Sequence, residues 1–388
     1  MFTTELIQQF KELETPFYFY DTDLLDSTLA EVKKYAQRYD FTVHYAVKAN
    51  TNSEIMSRIA KEGLGADCVS GNEVTQALAV GFQADDIVFA GVGKSDKEIL
   101  TALEADIFCF NSESVQELEV IQELAQRVEK VARIALRLNP NVKANTHKYI
   151  TTGLEENKFG ISLSQLPEVL QVLEKCKNLE LVGIHFHIGS QILDLENFRN
   201  LCQRLNEIQD TFEEKNLPLK HINVGGGLGI DYRSPNSNPM SNFEAYFQLF
   251  AENIQRRPNQ KIHFELGRSI VGQCGSLITK VLYLKEGLKK KFVITDAGMN
   301  DLIRPSLYQA YHKIENITST AETAETYDVV GPVCESTDCF DKNVSLKQTQ
   351  RGDLLAIRSA GAYGEVMISN YNLRDRAKSY CKDWLLNQ

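Results

Sequence analysis

FTVHYAVKAN, residues 41–50, reads as a buried strand that stops on polar residues. Val43, Tyr45 and Val47 are β-formers, and Asn50, Thr51 and Asn52 end the pattern. Lys48 falls at the C-terminal mouth of that strand. In such a partly dry place an amine becomes a usable nucleophile for a Schiff base. A strand-end lysine that simply reaches water is the alternative, and the segment alone does not decide between them.

Moving outward, seven more short β runs follow at 64–69, 86–90, 105–110, 133–138, 181–188, 221–225 and 261–266. Amphipathic stretches such as Ser112–Val131 and Leu195–Lys215 separate them. Asn111-Ser112-Glu113 and Ser70-Gly71-Asn72-Glu73 carry the polar pattern of helix starts. Eight βα units in succession predict an α/β fold built on a (β/α)8 TIM-type barrel over residues 20–266. An open doubly wound sheet is the competing arrangement, and the count of eight and the lack of an early GxGxxG speak against it. Beyond Arg268 come short alternating runs, SIVGQCGSLITKVLYLKE, KKFVITDAG, YDVVGPV and GDLLAIRSAG. These predict an antiparallel β domain over 267–388, with residues 1–19 adding a strand through PFYFYDT.

Bulk properties limit the function classes. The chain has 388 residues, 43% hydrophobic and 24% charged, with a net charge of −10. That acidity argues against nucleic acid or an anionic membrane as partner. No apolar run is long enough to span a bilayer, and MFTTELIQQFKELETPF lacks the features of a secretory signal. A cytoplasmic enzyme is expected. Cys68, Cys109, Cys176, Cys202, Cys274 and Cys381 read as small buried hydrophobes in a reducing compartment. No residue set has metal-ligand spacing, so no metal is expected.

Polar residues gather after the predicted strands, which is where barrel enzymes place their chemistry. They are Lys48, Asp67, Arg137 with Asn139, His187 with Ser190, Gly225-Gly226-Gly227, and Glu265 with Arg268. The glycine run, in INVGGGLGI (222–230), lets a backbone approach a phosphate. A tight turn is its plain alternative. HFHIGSQ (185–191) offers an imidazole to stack on a flat ring and Ser190 to reach a phosphate; a core histidine is the plain alternative. Glu265 in HFELGRSIVG (263–272) could hold a pyridinium nitrogen protonated or could pair with Arg268. A lysine, a phosphate cradle, a ring stacker and an acid together describe one cofactor, pyridoxal 5'-phosphate.

The chain also resembles the diaminopimelate decarboxylase family, within the alanine-racemase-like pyridoxal-phosphate enzymes. The matching text is YAVKAN (45–50), GADCVSGNE (65–73), NTHKYITTGLEENKFGI (145–161), HFHIGSQ (185–191), GGGLGI (225–230), ELGRSIV (265–271), DAGMNDLIRPSLYQAYH (296–312), GPVCESTD (331–338) and GAYG (361–364). The resemblance implies decarboxylation of meso-2,6-diaminopimelate to L-lysine by a homodimer with shared active sites. It implies cofactor contacts at Lys48, His187, Ser190, Gly226, Gly227, Glu265, Leu266, Gly267, Arg268 and Tyr363. It implies substrate contacts at Arg268, Arg304, Tyr308, Glu335 and Tyr363, and a catalytic Cys334 donated across the dimer. Two arginines suit a substrate with a distal carboxylate, and Glu335 suits a distal amine. A decarboxylase of ornithine, arginine or carboxynorspermidine is the rival on the same fold, and a non-catalytic binding decoy is the remote one. The chain departs from the family pattern at Leu266, where proline is usual, and at Thr337, where glycine is usual. The first change predicts a less rigid loop. The second predicts backbone strain if that position needs positive φ.

Overall fold

The computed structural model describes residues 2–141 and 158–386. Most of the NTHKYITTGLEENKFGI motif lies outside the described residues. The chain divides into two compact units. One holds residues 29–229 and 242–267, the other residues 1–28, 230–241 and 268–388. The expected barrel segment, 20–266, therefore needs two corrections. Residues 20–28 and 230–241 group with the β unit.

The first unit is a closed parallel barrel of eight strands. They are β2 (Phe41–Ala46), β3 (Gly65–Cys68), β4 (Ile87–Phe89), β5 (Cys109–Ser112), β6 (Ala132–Arg137), β7 (Leu179–His185), β8 (His221–Asn223) and β9 (Lys261–Leu266). Each strand pairs with the next, and β9 closes on β2 through Phe41↔Ile262 to Tyr45↔Leu266. Phe41 of β2 and Phe264 of β9 pack with Tyr246, Phe247 and Phe250 of the helix Phe243–Asn253 at ring-centroid spacings typical of edge and tilted contacts. The helix starts come from side-chain caps. Ser70 accepts from Glu73 N and Asn52 accepts from Glu54 N, each worth about 1 kcal/mol. The helix after β5 is capped by Ser114, while Ser112 ends the strand, so the start lies two residues later than the sequence pattern suggested.

Low in the barrel sits a chain of three imidazoles. His44 Nδ1 lies 3.0 Å from the Asp86 carbonyl, His44 Nε2 2.9 Å from His263 Nδ1, and His263 Nε2 2.9 Å from His221 Nδ1. A carbonyl only accepts, so the row runs in one direction with a proton on each Nδ1. Burial lowers the pKa of all three and keeps them neutral.

The second unit is an eight-stranded sheet with the order β12-β15-β10-β11-β13-β14. These strands are β10 (Gly275–Glu286), β11 (Lys291–Thr295), β12 (Ile314–Asn316), β13 (Ala324–Val330), β14 (Cys339–Lys347) and β15 (Leu354–Ile357). The N-terminal β1 (Phe17–Tyr20) joins β10, as PFYFYDT suggested, and also pairs with β16 (Lys378–Cys381). The sheet is mostly antiparallel, but β11–β13 and β1–β16 are parallel. A purely antiparallel reading fails there because each of those pairs is joined by a long crossing, not a hairpin. Phe10, Phe17, Phe19, Ile278, Leu354 and Leu385 form this unit's core.

All eight cysteines are free thiols. Cys176 is only half-buried, unlike the other five expected inside. Among the described residues no helix is long and apolar enough to cross a membrane, and no metal-binding cluster occurs.

Candidate active site

In the barrel unit the strand C-termini carry the polar set. Lys48 sits in a single 3-10 turn, Val47–Ala49, directly after β2. That turn is clamped. Tyr45 OH donates to Asn50 O at 2.8 Å, and Asn50 Oδ1 accepts from Asn52 N at 2.9 Å. Gly267 leaves room for it, since a Cβ there would meet the Cβ atoms of Ala46 and Ala49 at 3.0 Å. Lys48 Nζ donates to Asp67 Oδ2 at 2.5 Å, while Asp67 Oδ1 is buried without a hydrogen-bond partner among the described residues. Burial, then the Glu265 charge, pushes Asp67 up to about 6 against the pull of Lys48.

Glu265 is buried and fully engaged. Asn111 Nδ2 donates to Oε1 at 3.0 Å, Asn223 Nδ2 to the same oxygen at 2.7 Å, and His185 Nε2 to Oε2 at 2.9 Å. Burial opposes its charge, but His185, Lys48 and His187 outweigh that and hold the carboxyl below its usual range. The sequence suggested Arg268 as its structural partner. The observed partners are instead three strand residues from β5, β7 and β8, which no local pattern marks.

His187 is half-buried in the loop after β7. Its Nδ1 accepts from Gly226 N at 3.4 Å. Burial, with the Arg137 and Lys48 charges, lowers it to about 3, so it presents a neutral ring. Arg137 itself is tied to Glu113 Oε1 at 2.8 Å. The glycine run is a true cradle. A Cβ on Gly225, Gly226 or Gly227 would lie 2.2, 1.9 and 2.5 Å from the carbonyl oxygens of Phe186, Glu265 and Gly189. Gly225 and Gly227 also need φ of +70° and +102°. Ile192 N donates to Gly227 O at 2.9 Å, which zips the Ser190 loop against the glycines. Leu266 ends β9 opposite Tyr45 in a regular ladder.

In the β unit a second set forms. Arg268 and Arg304 are both buried. Arg268 Nη1 donates to Tyr232 OH at 2.6 Å, and its guanidinium lies 4.9 Å from the Tyr363 ring centre. Arg304 faces the rings of Tyr232, Tyr308 and Tyr363 at 5.8–5.9 Å. Its Nε donates to His312 Nε2 at 3.3 Å, and no acidic side chain pairs with it among the described residues. Burial, with the Arg268 charge adding to it, lowers the Arg304 pKa. Tyr363 holds φ of +56°, a strained setting for a non-glycine residue. Tyr232 was missed by sequence reasoning; it arrives on the 230–241 excursion.

Cys334 and Glu335 are exposed on the loop before β14. Tyr371 OH donates to Glu335, and Asn372 Oδ1 accepts from Cys334 N at 3.2 Å. Asp338 holds the backbone N–H groups of Met299 and Val333 at 2.7 and 2.6 Å. Thr337 is not among the described residues with positive φ, so the expected strain is absent.

The barrel set fits pyridoxal phosphate: an amine on a clamped turn, an ionised carboxylate, a neutral ring and a backbone cradle that excludes side chains. Fold and site thus define a pyridoxal-phosphate barrel enzyme. Residues 25–272 match the family of the pyridoxal-dependent decarboxylase, pyridoxal binding domain. The diaminopimelate decarboxylase of Bacteroides thetaiotaomicron is 56% identical over 98% of each chain. That of Aquifex aeolicus is 41% identical over 96% of this chain and 87% of its own. The crystal structure of diaminopimelate decarboxylase from Helicobacter pylori complexed with L-lysine superposes with a TM-score of 0.91 at 42% identity, covering 97% of this chain and 93% of that one. The chain belongs to the diaminopimelate decarboxylase family of pyridoxal-dependent decarboxylases.

Proposed function

We propose that this enzyme removes the carboxylate at one end of meso-2,6-diaminopimelate and releases L-lysine. The observation that carries the substrate is Arg304, a buried guanidinium ringed by tyrosines with no acidic partner among the described residues. A substrate carboxylate supplies the missing charge, and a planar guanidinium grips it in a fork. Arg268, Tyr308 and Tyr363 complete this grip in the proposal, and Glu335 takes the distal amine.

When bound, pyridoxal phosphate supplies the electron sink for the pair left behind by carbon dioxide. Ser190, Gly226 and Gly227 would hold its phosphate. Lys48 is the amine that would tether it and give way to that of the substrate. Before the cofactor binds, Asp67 anchors the Lys48 ammonium. Glu265 would keep the ring nitrogen protonated, and neutral His187 would cover the ring face without adding charge. One C–C bond breaks, carbon dioxide leaves, and the carbon gains a proton through Cys334.

We further assign Cys334 and Glu335 to the site of a partner subunit in a homodimer. Their exposure, against the burial of Arg268 and Arg304, supports that assignment. A cytoplasmic location is supported by eight free thiols.

The test is carbon dioxide release from meso-diaminopimelate by purified protein with added cofactor, run beside ornithine, arginine and carboxynorspermidine. Turnover of any of those three in preference to meso-diaminopimelate would overturn the substrate.

A further inference from the structure

We propose that His312 is a positioning residue that aims Arg304 at the substrate carboxylate; the inference rests on the substrate reading above. His312 is buried in the segment that follows the helix Arg304–Tyr308. Gln309 ends that helix in a left-handed conformation, φ 53°, and the chain turns back so that His312 meets Arg304.

The geometry permits one tautomer. His312 Nδ1 lies 2.9 Å from the Arg358 carbonyl oxygen, which can only accept, so Nδ1 carries the proton. Nε2 then holds a lone pair and accepts from Arg304 Nε at 3.3 Å. A guanidinium has no lone pair to offer. A doubly protonated ring would therefore face a donor with a donor. Burial and the Arg304 charge favour the same neutral form. Tyr232 packs edge-on against the His312 ring at 5.1 Å and 81°, and its hydroxyl accepts from Arg268. One tyrosine therefore braces the imidazole while contacting both guanidiniums.

The consequence is directional. With Nε committed to His312, the Nη1 and Nη2 edge is what Arg304 presents to a ligand. A carboxylate is gripped end-on, in one orientation. Without the His312 acceptor the guanidinium can rotate about its stem and offer the Nε side instead.

Two variants separate aiming from mere filling. In His312→Gln an amide oxygen can stand where Nε2 stood and accept from Arg304, while the Arg358 bond is lost. In His312→Asn an amide nitrogen can stand near Nδ1 and donate to Arg358, while the Arg304 acceptor is lost. The readout is the inhibition constant of L-lysine relative to that of 1,5-diaminopentane, which lacks the carboxylate. His312→Asn should lower that preference roughly tenfold, the effect of one hydrogen bond to a charged group, with KM for meso-diaminopimelate rising more than kcat falls. His312→Gln should stay within about threefold of the parent preference. Equal preferences in the two variants, or a preference that tracks their melting temperatures, would overturn the role.

A parent enzyme with turnover but no change in His312→Asn sinks this inference alone. A parent enzyme that neither turns over meso-diaminopimelate nor prefers L-lysine sinks the substrate reading and this inference with it. Nitrogen-15 spectra of histidine-labelled holoenzyme give an answer that needs no variant. They should show His312 protonated at Nδ1 and bare at Nε2 from pH 8 to pH 5. The opposite tautomer, or protonation within that range, refutes the geometry.

Discussion

The barrel and the β unit treat buried charge in opposite ways. In the barrel, Glu265 receives three hydrogen bonds, from Asn111, Asn223 and His185, and stays ionised without help from a ligand. In the β unit, Arg304 is equally buried, yet aromatic faces and one neutral imidazole are its company among the described residues. A buried ion that lacks a counter-charge is costly. Under the proposed function the difference matches how long each ligand stays. A cofactor that stays requires a carboxylate already fixed in place, whereas a substrate that comes and goes can bring the counter-charge with it.

The sharpest way to break this contrast is Lys48→Ala. Turnover and the absorption band of the protein-bound cofactor should both vanish. A variant that kept an unchanged band, reducible by borohydride onto the protein, would move the chemistry elsewhere. Next in size is Glu265→Gln. Removing a preorganised charge from the reacting centre should lower kcat by about 10²- to 10³-fold, with KM for meso-diaminopimelate changing far less. A loss confined to KM would erase the division of labour between the units.

Arg304→Leu tests the other side. Loss of one charged hydrogen bond costs about 1.5–3 kcal/mol, or roughly 10- to 150-fold in kcat/KM. The cofactor band should be unaltered; a bleached band would mean that Arg304 serves the cofactor. A smaller effect comes from mixed dimers. If Cys334 serves the partner's site, equal amounts of Lys48→Ala and Cys334→Ala, each nearly dead alone, should regain about a quarter of parental activity on subunit exchange. Half of the dimers would be mixed, each with one intact site. No recovery, while tagged subunits demonstrably exchange, would return Cys334 to its own chain or remove it from the site.

The smallest effect is on acid stability. His312 is depressed to about 3, by burial first and by the Arg304 charge. A depressed histidine adds stability that is complete above its unfolded value, about 6.5, and is lost as pH falls from there toward 3. At pH 4.5 that loss is about 2–3 kcal/mol. The melting temperature of the parent should therefore drop more steeply between pH 7 and 4.5 than that of His312→Gln, by a few degrees. Parallel slopes would show that the ring is not held neutral.

How far the sequence reached follows from how local each signal is. A strand ending in VKAN, a GGG run and an ELGR run announce themselves within ten residues, and the eight strands show through their spacing. Asn111, Asn223 and His185 are single polar residues inside strands, and only closure of the barrel turns them toward Glu265. Tyr232 and His312 escape for a similar reason. One rides a twelve-residue departure from the barrel, and the other acquires its meaning from a carbonyl at Arg358, far along the chain.

The pairing of β1 has a consequence for synthesis. Phe17–Tyr20 leaves the ribosome long before its partners, β10, which starts at Gly275, and β16, which ends at Cys381. Barrel strands β2 to β8 can each find a neighbour soon after emergence. The aromatic FYFY strand must wait while the chain up to β10 is made, on the order of tens of seconds. An unpaired apolar edge held that long invites association with other nascent chains. Recovery of soluble enzyme should therefore depend on elongation rate and on chaperones that shield β1, more than on the stability of the finished fold.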